Sequence, residues 1–258
     1  MEPVSISHLA IAAAAALLAG GVNSVAGGGT LITFPTLIGL GLPSITANAT
    51  STVAIWPGSL GSIWGFRREF VKTEPVMRAL AVPSMVGAAV GATLLRYTPP
   101  GLFDRLVPVL ILFATILFTV QGPVQRRLKT VEGRRERTVR WLIGAITFQF
   151  VVGVYGGYFG AGMSIMMLSA LAILGMTDIL KMNALTSFFA LSINGIAAAV
   201  FIWAHMIYWP YVLVMAISAI IGGYGAAGVA RAIGRVYVRR FIIFVGFTIA
   251  AVLFIKMV

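Results

Sequence analysis

The chain has no cysteine, only two histidines and only seven acidic residues among 258. Without cysteine there is no disulfide and no thiolate metal site, so redox compartment leaves no trace in the sequence. His8 and His205 are far apart and have no company of other ligating side chains, so no zinc site and no resident cofactor is expected. The acids are Glu2, Glu69, Glu74, Asp104, Glu132, Glu136 and Asp178, and none falls in the middle of an apolar run. Intramembrane acids are the usual mark of a carboxylate relay for protons or cations, and that device is absent. What the chain does have is apolar surface: 59% hydrophobic residues, 10% charged and a mean hydropathy of +0.99. These values describe an integral membrane protein. The net charge of +12 lies in short loops between apolar stretches, where it sets orientation in the bilayer, so nucleic acid is not an expected partner whereas lipid is.

Ten apolar stretches are bounded by charges and turn residues, near 8–22, 29–42, 45–66, 76–95, 102–120, 141–158, 163–175, 182–203, 211–230 and 241–257. A helix needs about 20 apolar residues to cross the hydrocarbon. Two stretches, 29–42 and 163–175, are clearly short. They follow glycine clusters, Gly27-Gly28-Gly29 and Gly160-Ala161-Gly162, and each cluster is followed about twenty residues later by Asn48 or Asn183 with its hydroxyl neighbours. Gly29 matches Gly162, Gly41 matches Gly175 and Asn48 matches Asn183; Gly87, Arg96 and Arg105 match Gly222, Arg231 and Arg240. The expected organisation is therefore a first transmembrane repeat over 1–120, a basic cytoplasmic connector over 121–140 and a second repeat over 141–258. A helix is expected over 44–66 with a kink at Pro57. The apolar run 6–26 looks like a signal peptide's core, but it carries no Lys or Arg ahead of it and aligns with 141–158, so it is read as part of the mature chain.

Loop charges orient the two units. In the first, the loop after the second full helix is basic, with Arg67, Arg68, Lys72 and Arg78. In the second, the equivalent loop 203–210 has no Lys or Arg, and the next loop carries Arg231, Arg235, Arg239 and Arg240. By the positive-inside rule, equivalent loops lie on opposite faces, so the repeats are expected to be inverted, with both termini outside. The fold class expected is all-α integral membrane, two inverted-topology repeats, each a glycine-tipped broken-helix hairpin plus three transmembrane helices, the tips approaching near the midplane.

A helix starting just after a glycine break presents unpaired N–H groups and a positive dipole end, which suits an anion. Candidate substrate-binding residues are Gly27, Gly28, Gly29, Thr30, Asn48 and Ser51 in the first unit, and Gly160, Gly162, Ser164, Asn183, Thr186 and Ser187 in the second. Small residues also serve close helix packing, and asparagines serve as interhelical glue; the paired placement favours a site. Lys181 beside Asp178 reads as a snorkelling lysine or a substrate contact. Asn194 and its counterpart Ser59, three turns along the same face, read as site residues or helix glue; Tyr155 and Tyr158 beside the second cluster reach a cavity with a hydroxyl or belong to an interfacial belt, and Trp56 is an interface anchor or a cavity wall. No catalytic residue is expected, because a nucleophile paired with a base or a metal is missing.

The pattern Gly27-Gly28-Gly29-Thr30, Phe34-Pro35, Gly41-Leu42-Pro43 and Asn48-Ala49-Thr50-Ser51, repeated as Gly160-Ala161-Gly162 and Asn183-Ala184-Leu185-Thr186-Ser187, resembles the TauE/SafE sulfite exporter family of bacterial membrane proteins. The likeness extends over nearly the whole chain; the second unit departs from the glycine triplet at Ala161. The resemblance implies a multi-pass transporter of the inner, or plasma, membrane, commonly an exporter, for a small sulfur anion such as sulfite, an organosulfonate or sulfoacetate. A channel-like conduit and a non-transporting membrane scaffold are the alternatives, and the small-residue faces suit a homodimer as well as internal packing.

Overall fold

The computed structural model describes residues 5–25, 28–60, 68, 70–128, 139–174, 176, 178–233 and 235–257. Among them are eleven helices and no strand. The first half holds α1 (Ile6–Val25), α2 (Thr30–Gly39), α3 (Ser44–Ile55), α4 (Pro75–Ala79), α5 (Ala81–Tyr97) and α6 (Pro100–Leu128). The second holds α7 (Val139–Tyr158), α8 (Met163–Ile173), α9 (Ile179–Trp203), α10 (Trp209–Ile233) and α11 (Arg235–Met257). Five windows are long and apolar enough to cross a membrane: Ile6–Asn23, Pro75–Tyr97, Pro100–Val120, Val139–Tyr158 and Leu180–Trp203. The chain is an all-α integral membrane protein.

The two short helices fall where the glycines require. The turn after α2 places Gly41 at φ +89°, with the Gly41 N–H bonded to the Ile38 carbonyl and the Leu42 N–H to the Leu37 carbonyl. This pair of bonds closes a helix C-terminus when a left-handed residue follows it. After α8 the Met176 N–H reaches the Leu171 carbonyl in the same register.

Two boundaries differ from expectation. The helix expected over 44–66 is interrupted rather than only kinked: α3 ends at Ile55, 56–58 form a turn around Pro57, Ser59 and Leu60 are helical again, and 61–67 lie outside the described residues. Pro57 has no N–H for the Val53 carbonyl, and three-residue turn bonds take over, Ser59 N–H to Trp56 and Leu60 N–H to Pro57. At the end of the first half, α6 runs through to Leu128, so the expected connector begins as helix.

Packing recurs when the halves are exchanged. The helix before the first break, α1, packs on α10, and its counterpart α7 packs on α5; α3 meets α10 as α9 meets α5; α6 meets α11, and α3 meets α9. The equivalence holds at single residues. A Cβ on Gly20 would overlap the Ala219 carbonyl, and one on Gly153 would overlap the matching Ser84 carbonyl; Gly222 lies against Leu17 as Gly87 lies against Phe150. Helices in lipid gain little from hydrophobic exclusion and associate through close van der Waals contact, so small residues at these four points let the backbones touch.

Candidate functional site

Each break is a tight turn held by its own bonds. In the first, Gly28 is at φ +93° and the Gly29 N–H donates to Asn23 Oδ1 at 2.7 Å. In the second, Gly160 and Gly162 are at φ +77° and +78°, and the Tyr155 hydroxyl donates to the Ala161 carbonyl at 2.6 Å. The helices that leave these turns, α2 and α8, have no side-chain cap at their N-termini. Several first-turn N–H groups are met by the backbone of the break itself, Leu31 by Gly28 and Ile32 by Gly29, Met163 by Gly160 and Ile165 by Gly162, so what the two N-termini keep is chiefly the positive end of each helix dipole with no charged or polar cap on it.

The two turns converge on one stretch of α6. A Cβ on Gly28 would overlap the Phe118 ring, while one on Gly162 would lie 3.5 Å from Ala114 and from Leu117. Ala114 and Phe118 are one helical turn apart. Phe34 of α2 stands edge-on to Phe159 beside the second turn, ring centroids 5.4 Å apart. Phe34, Phe118 and Phe159 are all fully buried. The contact between the breaks is therefore aromatic here, and the polar groups sit around it.

Of the sequence-predicted residues, Gly27 lies outside the described residues. Asn48, Ser51 and Thr186 are buried, whereas Thr30, Ser164, Asn183 and Ser187 are partly exposed. Ser51 Oγ and Thr33 Oγ1 share a hydrogen bond of 2.6 Å, and Thr33 also donates to the Gly29 carbonyl at 3.2 Å. Asn48 reaches across to the other half: its Nδ2 donates to the Tyr158 carbonyl at 3.0 Å, leaving Oδ1 buried with no partner. Trp56 likewise crosses, donating to the Leu191 carbonyl at 3.1 Å, with its ring against Gly195. Tyr158 turns its hydroxyl to Thr98 at 3.3 Å. Lys181 pairs with Asp178 at 3.7 Å, and Asp178 also accepts from the Leu180 and Lys181 N–H groups at the start of α9. That is a helix cap, and it accounts for both residues. Among the described residues no group of His, Asp or Glu is arranged to hold a metal ion.

Three contributors were missed from sequence as site residues. Asn23 lies one turn before the glycine triplet, and a lone amide there was the available signal. Tyr155 was noted only as reaching toward a cavity, and its bond to Ala161 depends on a turn shape no spacing reveals. Gln149 of α7 is 1% exposed, and neither its Oε1 nor its Nε2 has a partner; Thr186 Oγ1, also buried, has none either. An amide in the apolar run 141–158 was legible, its complete burial was not.

Comparison with known proteins gives a consistent picture. The chain is 27% identical over 250 residues to a probable membrane transporter protein of Haemophilus influenzae, covering 96% of this chain and 95% of that one. It is 24% identical over 253 residues to a probable membrane transporter protein of a Sinorhizobium species, with 97% and 94% covered. A third relative, the probable membrane transporter protein YfcA of Escherichia coli K12, is 26% identical over 237 residues, 92% of this chain and 86% of that one. No solved structure is significantly similar. The sulfite exporter TauE/SafE family model matches residues 12–253, so this membrane transporter belongs to the TauE/SafE family.

Proposed function

We propose that the protein is a secondary transporter of the bacterial inner membrane that exports a small sulfur-containing anion, such as sulfite, an organosulfonate or sulfoacetate, by alternating access between inverted repeats. The observation that carries this reading is the meeting of two uncapped helix breaks on the Ala114–Phe118 turn of α6. Broken helices meeting inside the bilayer aim the positive ends of two helix dipoles at an anion without any fixed positive charge. Thr30 and Ser164 at the helix starts, with Asn183 and Ser187 of α9, are partly exposed and in this reading add neutral donors. Neutral donors bind firmly enough to admit an anion and weakly enough to release it. The buried rings of Phe34, Phe118 and Phe159 close the direct path between the breaks, which suits a carrier that rocks open better than a standing conduit.

The test is flux of sulfite and of sulfoacetate into and out of proteoliposomes. We expect saturable flux, reduced at least about tenfold in Asn183→Ala and Ser187→Ala, on the reasoning that lost hydrogen bonds to a charged ligand cost about 1.5–3 kcal/mol each. Undiminished flux in folded variants would remove these residues from the site, and flux that never saturates would favour the conduit.

A further inference from the structure

The second break has a side that an anion cannot satisfy. Asn48 Nδ2 donates to the Tyr158 carbonyl. A carbonyl only accepts, so the amide orientation is set by chemistry and Oδ1 must be the atom left over. That oxygen is fully buried with no partner. Asn194 Oδ1 comes to the same turn, 3.9 Å from where a Cβ on Gly160 would stand, and the Gly156 carbonyl lies 2.9 Å from that same point. Gly156 and Tyr158 belong to the last turn of α7, whose carbonyls form the negative end of a 20-residue helix dipole. Acceptor oxygens therefore gather at the end of α7, while the start of α8 presents the positive end of its dipole. One break presents opposite polarities to its two sides.

We propose that the Tyr158–Gly160 turn, with the carboxamide oxygens of Asn48 and Asn194, is a binding site for a small monovalent cation, sodium in the first instance. The donor set decides the class. Hard oxygen ligands exclude soft metals, and neutral amide and carbonyl oxygens with no carboxylate lack the charge that calcium and magnesium sites rely on. No carboxylate or imidazole is among the side chains placed at the turn, so the groups that usually carry a coupling proton are not part of this donor set. Helix C-terminal ends and unwound carbonyls are the groups that hold sodium in broken-helix transporters, beside N-terminal ends that hold the anion. The coupling this implies rests on the anion reading above: a cation bound next to the anion would lower the cost of holding one charge alone inside the protein. Binding of the cation itself stands apart from that reading.

The experiment is thermal unfolding of the purified full chain in detergent, titrating sodium chloride against choline chloride at constant ionic strength. A ligand that binds only the folded state raises the midpoint as it saturates. We expect a saturable sodium-specific rise without any anion substrate, with the half-maximal concentration at least about tenfold higher in Asn48→Ala and in Asn194→Ala. Asn48→Ala also loses the bond to Tyr158, so Asn194→Ala carries the test if the first variant does not fold. A midpoint that responds equally to choline, or a sodium dependence unchanged in Asn194→Ala, overturns the proposal. Sulfite and sulfoacetate, added at saturating sodium, test the anion reading separately: if the midpoint follows sodium but ignores both anions, the anion reading fails and the cation site stands.

Discussion

The two halves of this protein share a scaffold and differ at their tips. Gly20 against Ala219 and Gly153 against Ser84 are the same contact made twice, as are Gly222 against Leu17 and Gly87 against Phe150. The tips carry different chemistry on that common frame. In the first, polar groups satisfy one another: Asn23 takes the Gly29 N–H, and Thr33 pairs with Ser51. In the second half, the residue matching Thr33 is Met166, and Thr186, which matches Ser51, has no partner; Gln149, which matches Ala16 and lies about three turns before the break on α7, has none on either atom. Self-satisfied groups stiffen a turn, whereas unsatisfied ones are free for a ligand. The first half thus spends its polar groups at the break on one another, and the second half keeps buried polar atoms without partners.

The largest effects should come from the shared frame and should be equal in both halves. A leucine at Gly20 or at Gly153 has to displace a backbone carbonyl rather than a side chain. Overpacking of a well-packed interface costs about 1–3 kcal/mol or more, and backbone on both sides leaves no way to relax. Both variants should fail to give monodisperse protein in detergent chromatography. If only one fails, the equivalence of the two helix pairs is broken.

Alanine at the tips should separate them. Gly28 and Gly162 both have positive φ, a conformation costing a non-glycine residue about 1–2 kcal/mol. The space differs: at Gly28 the new methyl would overlap the buried Phe118 ring, and at Gly162 it would make ordinary contact at 3.5 Å. Gly28→Ala should therefore lower the unfolding midpoint clearly more than Gly162→Ala. Phe118→Leu should recover part of the loss only in the Gly28→Ala background, and equal losses would show that φ alone matters.

A smaller effect tests the hydroxyl pair. Thr33→Val leaves the Ser51 hydroxyl buried without its 2.6 Å partner, at a cost of about 1–3 kcal/mol. Adding Ser51→Ala should bring the double variant back toward the parent, because removing both partners of a buried bond is nearly neutral. Additive losses in the unfolding midpoint would mean that the two residues act through separate contacts.

Much of this frame was legible in the sequence. Glycine clusters ahead of two runs too short to span placed the breaks; the matching of Gly87 with Gly222 marked equivalent positions, but not the Phe150 and Leu17 backbones they touch. The interruption at Pro57 was legible in place, but not in form. A proline permits a kink or an end, and here Trp56 turns to the Leu191 carbonyl, in the other half of the chain. The same limit hid the bond from Asn48 to Tyr158, which spans 110 residues: spacing reports what one helix face presents, not which face of another helix meets it. Gln149 shows the limit from the other side, since an amide in an apolar run reads as packing glue until its burial and missing partners are known.

The smallest expected change in stability has the opposite sign and separates structure from transport most cleanly. Gln149 lies on α7 between Ala145 and Val152, which belong to the apolar cluster that also takes in Met182, Leu185 and Phe189 around Thr186. A buried polar group without a partner costs about 1–3 kcal/mol relative to a satisfied one, so Gln149→Leu, of similar length and with no polar atom, should leave the unfolding midpoint unchanged or raise it by a few degrees. The same substitution should slow anion flux in proteoliposomes, and Thr186→Val should behave alike, if the second tip keeps these groups for a solute. Ser51→Ala, at the matching place in the first tip, should instead lose stability. A Gln149→Leu protein that is more stable and transports as before would make the amide a mere packing residue and leave the two tips functionally equal.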